Sequence, residues 1–291
     1  MISRAINFNK PEGISSHTAV QQVKSVLKIS KAGHAGTLDP LAEGVLIVLC
    51  AQATKLTPYL ATLDKKYTAV VRLGQHTDTL DREGKVIRTA PVSEITADGV
   101  VEALKSFTGE ISQTPPMYSA LKINGTPLYK LARKGLEVER KQRSITIFAI
   151  NLAAFDLPYI TLNIHCSKGT YVRTLCSDLA EAMGTCGHIH ALKRTGVGRF
   201  GISESCSLDT LQSARVISMD ETLSHLGERT LTPDEQRKIL NGSMLDDYAE
   251  GRQDGAALRL RDIRGNLFAI GTYGGNKIKM ATFLGKSQRN S

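Results

Sequence analysis

Apolar and polar positions alternate over residues 3–8 ("SRAINF"), and again over "KYTAVVRLG" and "YITLNIHCS". This period of two predicts strands with one buried face. The run "GVLIVLC" is apolar throughout and predicts a buried strand. Between these segments the spacing changes. Val20, Val23, Val26 and Leu27 fall at helical intervals behind a serine in "SSHTAVQQVKSVLK", and Leu175, Leu179 and Met183 recur every four residues in "KGTYVRTLCSDLAEAMGT". Helices are also expected over "AQATKLTPYLATLD", "SEITADGVVEALKSFTG" and "TPDEQRKILNG". Strands and helices follow one another without a regular βαβ period. That order predicts an α+β fold with a mixed, mostly antiparallel sheet flanked by helices.

The texture changes twice. Residues 113–143 carry seven Lys or Arg against two Glu from Lys122 onward, interleaved with Tyr129 and Leu131 and broken by glycines. Such a segment reads as an arm or loop rather than a packed layer. From about residue 226 a helix is followed by short strands separated by "EGRQDG", "RDIRGN" and "TYGGNK". A division at residues 1–228 and 229–291 follows, the second unit small and β-rich, with 11 basic and 7 acidic side chains.

Composition narrows the function classes. The formal charge is +9, which favours polyanionic partners through phosphate neutralisation. The five cysteines are odd in number and form no CxxC pair, so they read as buried thiols rather than disulfides or zinc ligands. No GxxxxGK[ST], GxGxxG or G-x-S-x-G element is present, which leaves nucleotide cofactors and serine hydrolysis without support. His165, His188 and His190 lack partners at metal-ligand spacing and read as ordinary hydrogen-bonded histidines. No stretch approaches a membrane span and no signal-peptide core is visible, so a cytosolic protein is expected.

The segment "GHAGTLDPLAEGVL" places Asp39 among three glycines and Pro40, with His34 five residues earlier. An isolated Asp-Pro is ordinarily a plain turn. The surrounding glycines allow close backbone approach, and Pro40 biases Asp39 towards an extended conformation, so this frame could hold a carboxylate rigidly.

The same segment resembles the signature motif of the TruB-type tRNA pseudouridine synthases. "KKYTAVVRLG", "QTPPMYSALKINGTPLYKLARKG", "GTYVRTLCSDLA" and "HIHALKRTGVGRF" resemble further family motifs in the family's order, over residues 4 to about 205. The resemblance implies a pseudouridine synthase fold with a PUA-like C-terminal domain. It implies a cofactor-free isomerisation of uridine 55 in the T-loop of tRNA, in which the nucleotide is flipped out of its stack. Asp39 would then be the catalytic carboxylate. Arg173 would pair with it and hold it ionised, as an always-charged guanidinium can. Tyr67 would stack on the base and accept the C5 proton, Tyr171 would pack beside the site, and Leu192 would seal the pocket. His34 would occupy the vacated stack, and Lys31, Lys122, Lys130, Arg133 and Lys134 would grip the T-arm. A stand-alone monomer is expected. A catalytic subunit of a guide-RNA complex, or an RNA-folding module with secondary catalysis, are the competing readings.

Overall fold

The computed structural model describes residues 3–119, 121–123, 125–132, 134–247 and 253–285, and of Lys122 only the backbone. The chain opens with β1 (Arg4–Lys10) and α1 (Ser16–Leu27), which is capped by the Ser15 side chain accepting from the Thr18 N–H. A short β2 (Ala32–His34) leads into the Asp39 segment and then into β3 (Glu43–Cys50). The expected helix after β3 is split into a 3-10 turn, Ala51–Leu56, and a short α2 (Thr57–Ala61). Pro58 at the first turn of α2 accounts for this break, since it cannot donate to the preceding turn. Next come β4 (Lys65–Leu73), a hairpin of β5 (Gln75–Thr77) and β6 (Val86–Thr89), α3 (Ala97–Lys105) and β7 (Gly109–Gln113).

The basic segment is less irregular than expected. It forms a two-residue hairpin, β8 (Lys122–Ile123) and β9 (Thr126–Pro127), followed by α4 (Leu128–Ala132). The chain returns through the long pair β10 (Arg143–Asp156) and β11 (Tyr159–Cys166), then α5 (Val172–Ala182) and β12 (Gly187–Val197). A short β13 (Phe200–Gly201) folds back on β12, and β14 (Ile217–Ser218) pairs with β1 ahead of α6 (Met219–Thr222).

The main sheet runs β14-β1-β3-β12-β4-β11-β10-β7. Every pairing in it is antiparallel except β12 with β3, so the sheet is mixed. One face buries Phe8, Leu46, Val48, Val71, Leu162 and Leu192 with other residues beneath α1, α3 and α5. A second sheet, in the order β15-β17-β18-β19-β16, begins at Gly227. It comprises β15 (Gly227–Thr230), β16 (Leu245–Asp246), β17 (Ala257–Arg261), β18 (Leu267–Gly274) and β19 (Lys277–Phe283), with α7 (Pro233–Leu240) capped by Thr232 and Glu235. Its Ile270 and Leu284 join Ala5, Ile47, Leu49 and Leu223 in one core behind β1 and β3. All five cysteines are free and buried.

Candidate active site

The Asp39 segment crosses from the end of β2 to the start of β3 and is held from three sides. From β12, the fully buried Arg194 donates through Nε to Val45 O (2.7 Å), through Nη1 to Thr37 O (3.3 Å) and through Nη2 to Gly36 O (3.1 Å). From β1, Lys10 Nζ donates to Pro40 O (3.3 Å), and also to Pro11 O and Ile14 O. From α1, Ser16 Oγ accepts the Leu38 N–H at 2.8 Å and donates to Leu38 O at 2.9 Å. The expected turn is present as well, with the Ala42 N–H donating to Asp39 O. Backbone carbonyls that a loop would otherwise give to water are therefore satisfied by buried donors.

Arg173, at the first turn of α5, is 5 % exposed and ties four segments together. Its Nε lies 2.9 Å from Asp39 Oδ2, and Nη1 lies 3.4 Å from Asp81 Oδ2. Nη1 also donates to Thr79 O and Nη2 to Tyr118 O, both at 2.8 Å. Asp81 is itself buried and accepts from Thr79 Oγ1 and the Glu83 N–H. The start of α5 is fixed from β7, where Gln113 accepts from the Tyr171 N–H (2.8 Å) and donates to Tyr171 O (3.1 Å). Four of the five N–H groups of Arg173 are engaged in these contacts, a single one of them with Asp39, whose carboxylate keeps 39 % exposure.

Two cavities meet at this pair. An inner one of about 300 Å³ is lined by Asp39, Lys65, Tyr67, Tyr171, Leu192 and Arg194 among others. An outer one of about 590 Å³ is lined by His17, His34, Tyr118, Tyr129, Glu83 and Pro40 among others, and shares Asp39 and Arg173 with the first. Burial raises the Tyr67 phenol above its ordinary value, with the Arg194 charge opposing. Burial lowers His34, and the charges of Arg194 and His17 add to it, so the neutral imidazole is favoured.

The structure thus gathers Asp39, Tyr67, Arg173, Tyr171, Leu192 and His34 around the two cavities. Lys31 is exposed at the start of β2 and lines neither. Lys130 is exposed on α4, next in the chain to the cavity-lining Tyr129, and Lys134 is exposed in the turn beyond that helix. Arg133 and the Lys122 side chain lie outside the described residues. His188 hydrogen-bonds Gln75 O through Nδ1, and His165 pairs with Asp64.

Sequence reasoning missed Lys10, Ser16, Lys65, Asp81 and Arg194. For two of them a signal existed. Lys65 shares strand parity with the core residues Ala69, Val71 and Leu73, and Arg194 with Leu192, so each is a charge on an apolar face. Burial pushes Lys10 down to about 8, with Asp39 opposing and Arg194 adding. Between that value and the unperturbed lysine range the unfolded chain binds the extra proton, so this group's contribution to stability rises with pH. Urea titrations should show wild type gaining on Lys10→Met by roughly 1–3 kcal/mol between pH 7.5 and 10. A difference independent of pH would contradict this.

The model of the TruB family pseudouridylate synthase N-terminal domain matches residues 24–172, and that of the tRNA pseudouridylate synthase B C-terminal domain matches residues 173–236. A tRNA pseudouridine synthase B of Clostridium kluyveri is 45% identical over 246 residues, covering 83% of this chain and 85% of the relative. The chain belongs to the TruB family. A second TruB-family relative, the tRNA pseudouridine synthase B of Haemophilus influenzae, is 37% identical over 293 aligned positions, covering 96% of this chain and 94% of its own. A solved Cbf5–Nop10–Gar1 complex matches with a TM-score of 0.72 at 24% identity, covering 97% of this chain and 84% of that one, a likeness of fold. The fold is that of a pseudouridine synthase with a TruB C-terminal domain.

Proposed function

We propose that this TruB-family chain isomerises uridine 55 in the T-loop of tRNA to pseudouridine, acting as a cytoplasmic single chain without guide RNA or cofactor. The observation that carries the reading is the Asp39–Arg173 pair, set at 2.9 Å on the boundary between the two cavities. A half-exposed carboxylate at the mouth of a nucleobase-sized cavity can reach the C1′ or C2′ position of a flipped nucleotide. Arg173 supplies a fixed positive charge beside it. Tyr67 packs against the base inside the cavity, and its phenol, kept protonated by burial, would relay the C5 proton by passing on its own as it takes that one, while Leu192 and Tyr171 close the walls against water. His34, favoured neutral, is the group we assign to the space the nucleotide vacates, with Tyr118 and Tyr129 offering stacking surfaces to displaced bases.

Membership of the TruB family, with relatives named tRNA pseudouridine synthase B over most of the chain, supports tRNA as the substrate. Among the described residues no helix is long and apolar enough to cross a membrane. We assign the unit expected at residues 229–291, whose sheet starts two residues earlier with β15 at Gly227, as a PUA-like RNA-binding unit and residues 113–143 as an arm on the T-stem. The test is incubation of the purified chain with an unmodified T-arm transcript, followed by mapping of pseudouridine. Product at the T-loop uridine without guide or partner is expected, and its absence would sink the reading.

The arm makes a separate prediction. Replacing Lys130 and Arg133 by glutamine should weaken T-arm binding and reduce the slope of log affinity against log salt by about 1–2. An unchanged slope would remove these two residues from the phosphate contacts.

A further inference from the structure

Lys65 has no task in the reaction as described, yet it is built into the inner cavity. It opens β4 on the same face as Tyr67, is 7 % exposed, and lines that cavity. Its Nζ donates to Ala61 O at 2.8 Å and Leu63 O at 2.5 Å, the carbonyls that close α2. An ammonium has three N–H groups, so two are spent on the backbone and, among the described residues, one remains.

The surrounding charges make this ammonium unusual. Arg173 faces two carboxylates, Asp39 and Asp81. Among the described residues neither Lys65 nor Arg194 has a carboxylate at ion-pair distance. The charged groups lining the cavity are thus Lys65, Arg173 and Arg194 against Asp39 alone. Keeping uncompensated cations in a buried wall is costly, and they are matched only when something anionic enters.

We propose that Lys65 holds the departing uracil as its anion, directing its remaining N–H to a base oxygen while the ring turns from N1 to C5. The inference rests on the isomerase reading. When the C1′–N1 bond breaks, its electron pair leaves with the base, and the charge spreads over N1, O2 and O4. On the sugar side Asp39 either bonds C1′ or takes the C2′ proton, so atoms and charge balance. C5 then bonds C1′ as Asp39 either leaves C1′ or gives its proton back to C2′ and is again a carboxylate, the C5 proton passes through the Tyr67 hydroxyl to solvent, and N1 takes a proton from solvent. The product is an isomer of the substrate. The anion exists only between the two bonds, so a charge aimed at it acts on the rate and not on substrate binding.

The groups facing Lys65 are Arg194 on β12, the Cys166 thiol on β11, Asp64 beside it, Lys168 in the following loop and, across the cavity, Asp39. Burial pushes Lys65 down to about 8, Arg194 lowering it further and Cys166 and Asp64 opposing. The ammonium is therefore charged at neutral pH and neutralises just above it.

The experiment uses the full chain and T-arm RNA under single turnover. Lys65→Met should bind the RNA within about twofold of wild type and form pseudouridine about 100-fold more slowly. A 5-fluorouridine at the target makes the departing base a better anion, so the deficit in C1′–N1 cleavage should shrink to about tenfold. The wild-type rate should fall as pH rises through about 8, and Lys65→Arg, which stays charged, should lose that fall. A Lys65→Met rate within about threefold of wild type, or an equal deficit with uridine and 5-fluorouridine, overturns the proposal. Should Lys65→Met not fold, an alkaline fall of the same size in Lys65→Arg overturns it too. A wild-type chain inactive on the T-arm would instead defeat the isomerase reading.

Discussion

Asp39→Asn should abolish pseudouridine formation, with a loss on the order of 10⁴-fold or more, while T-arm RNA still binds within about threefold. The two halves of this expectation have separate causes. The asparagine side chain has nearly the shape of aspartate, and the donors that fix the segment address its backbone. Arg194 on Gly36 O and Thr37 O, Ser16 on Leu38 and Lys10 on Pro40 O are all untouched by the change. Arg173 keeps its contacts to Asp81, Thr79 O and Tyr118 O, so α5 and the arm stay in place. What disappears is the negative charge and the basic oxygen at the cavity boundary. Filter binding and pseudouridine mapping on the same preparation check both halves. Equal loss of binding and turnover would make Asp39 structural, and surviving turnover would remove it from the chemistry.

The second large effect is on stability, at Gly44. This residue has φ +107°, and an added Cβ would sit 2.2 Å from Arg194 O and 2.9 Å from Arg194 N. Gly44 and Arg194 are partners where β3 and β12 run parallel, so neither backbone can retreat without opening the sheet. Gly44→Ala should cost about 3–5 kcal/mol and lower Tm by on the order of 10 °C. Gly13→Ala is the control. Gly13 also has positive φ, +86°, but nothing lies within 4 Å of the place its methyl group would take, so about 1 kcal/mol of backbone strain is expected there. Equal losses in thermal denaturation would show that the close approach to Arg194 contributes nothing. Turnover should fall in Gly44→Ala as well, since Arg194 would shift its hold on Gly36 and Thr37.

Much of the fold was readable because its buried faces keep strict periods. β4 alternates cleanly through Lys65, Tyr67, Ala69, Val71 and Leu73, and α5 repeats Leu175 and Leu179. β10 escaped for a definable reason. Its inward residues are Ile145 and Ile147, then Ile150 and Leu152, then Phe155. Register shifts between Ile147 and Ala149, and between Leu152 and Ala154, change the parity each time, so no period of two survives along its length. The site divides in the same way. Asp39 sits in a dense local frame and was legible, and Arg173 was assigned through the family motif rather than from its own surroundings. Asp81 was invisible because its role depends on a contact with Arg173, 92 residues away, in a "TDTLD" stretch that reads as an ordinary turn. Ser16 likewise acts on backbone atoms far away in the chain, and backbone acceptors leave no mark in a sequence, so that Arg194 too shows only as a charge on an apolar face and not as the residue that holds Gly36.

The buried hold on the Asp39 segment has a consequence for hydrogen exchange. Surface connections usually open by themselves and exchange their amides quickly. Here the Leu38 N–H donates to a buried hydroxyl on α1, and the carbonyls around it are gripped from β1 and β12. No local opening releases that amide without breaking contacts to three packed elements at once. In deuterated buffer it should therefore exchange as slowly as the strand amides of β3. A segment with no regular secondary structure would then belong to the same cooperative unit as the centre of the sheet.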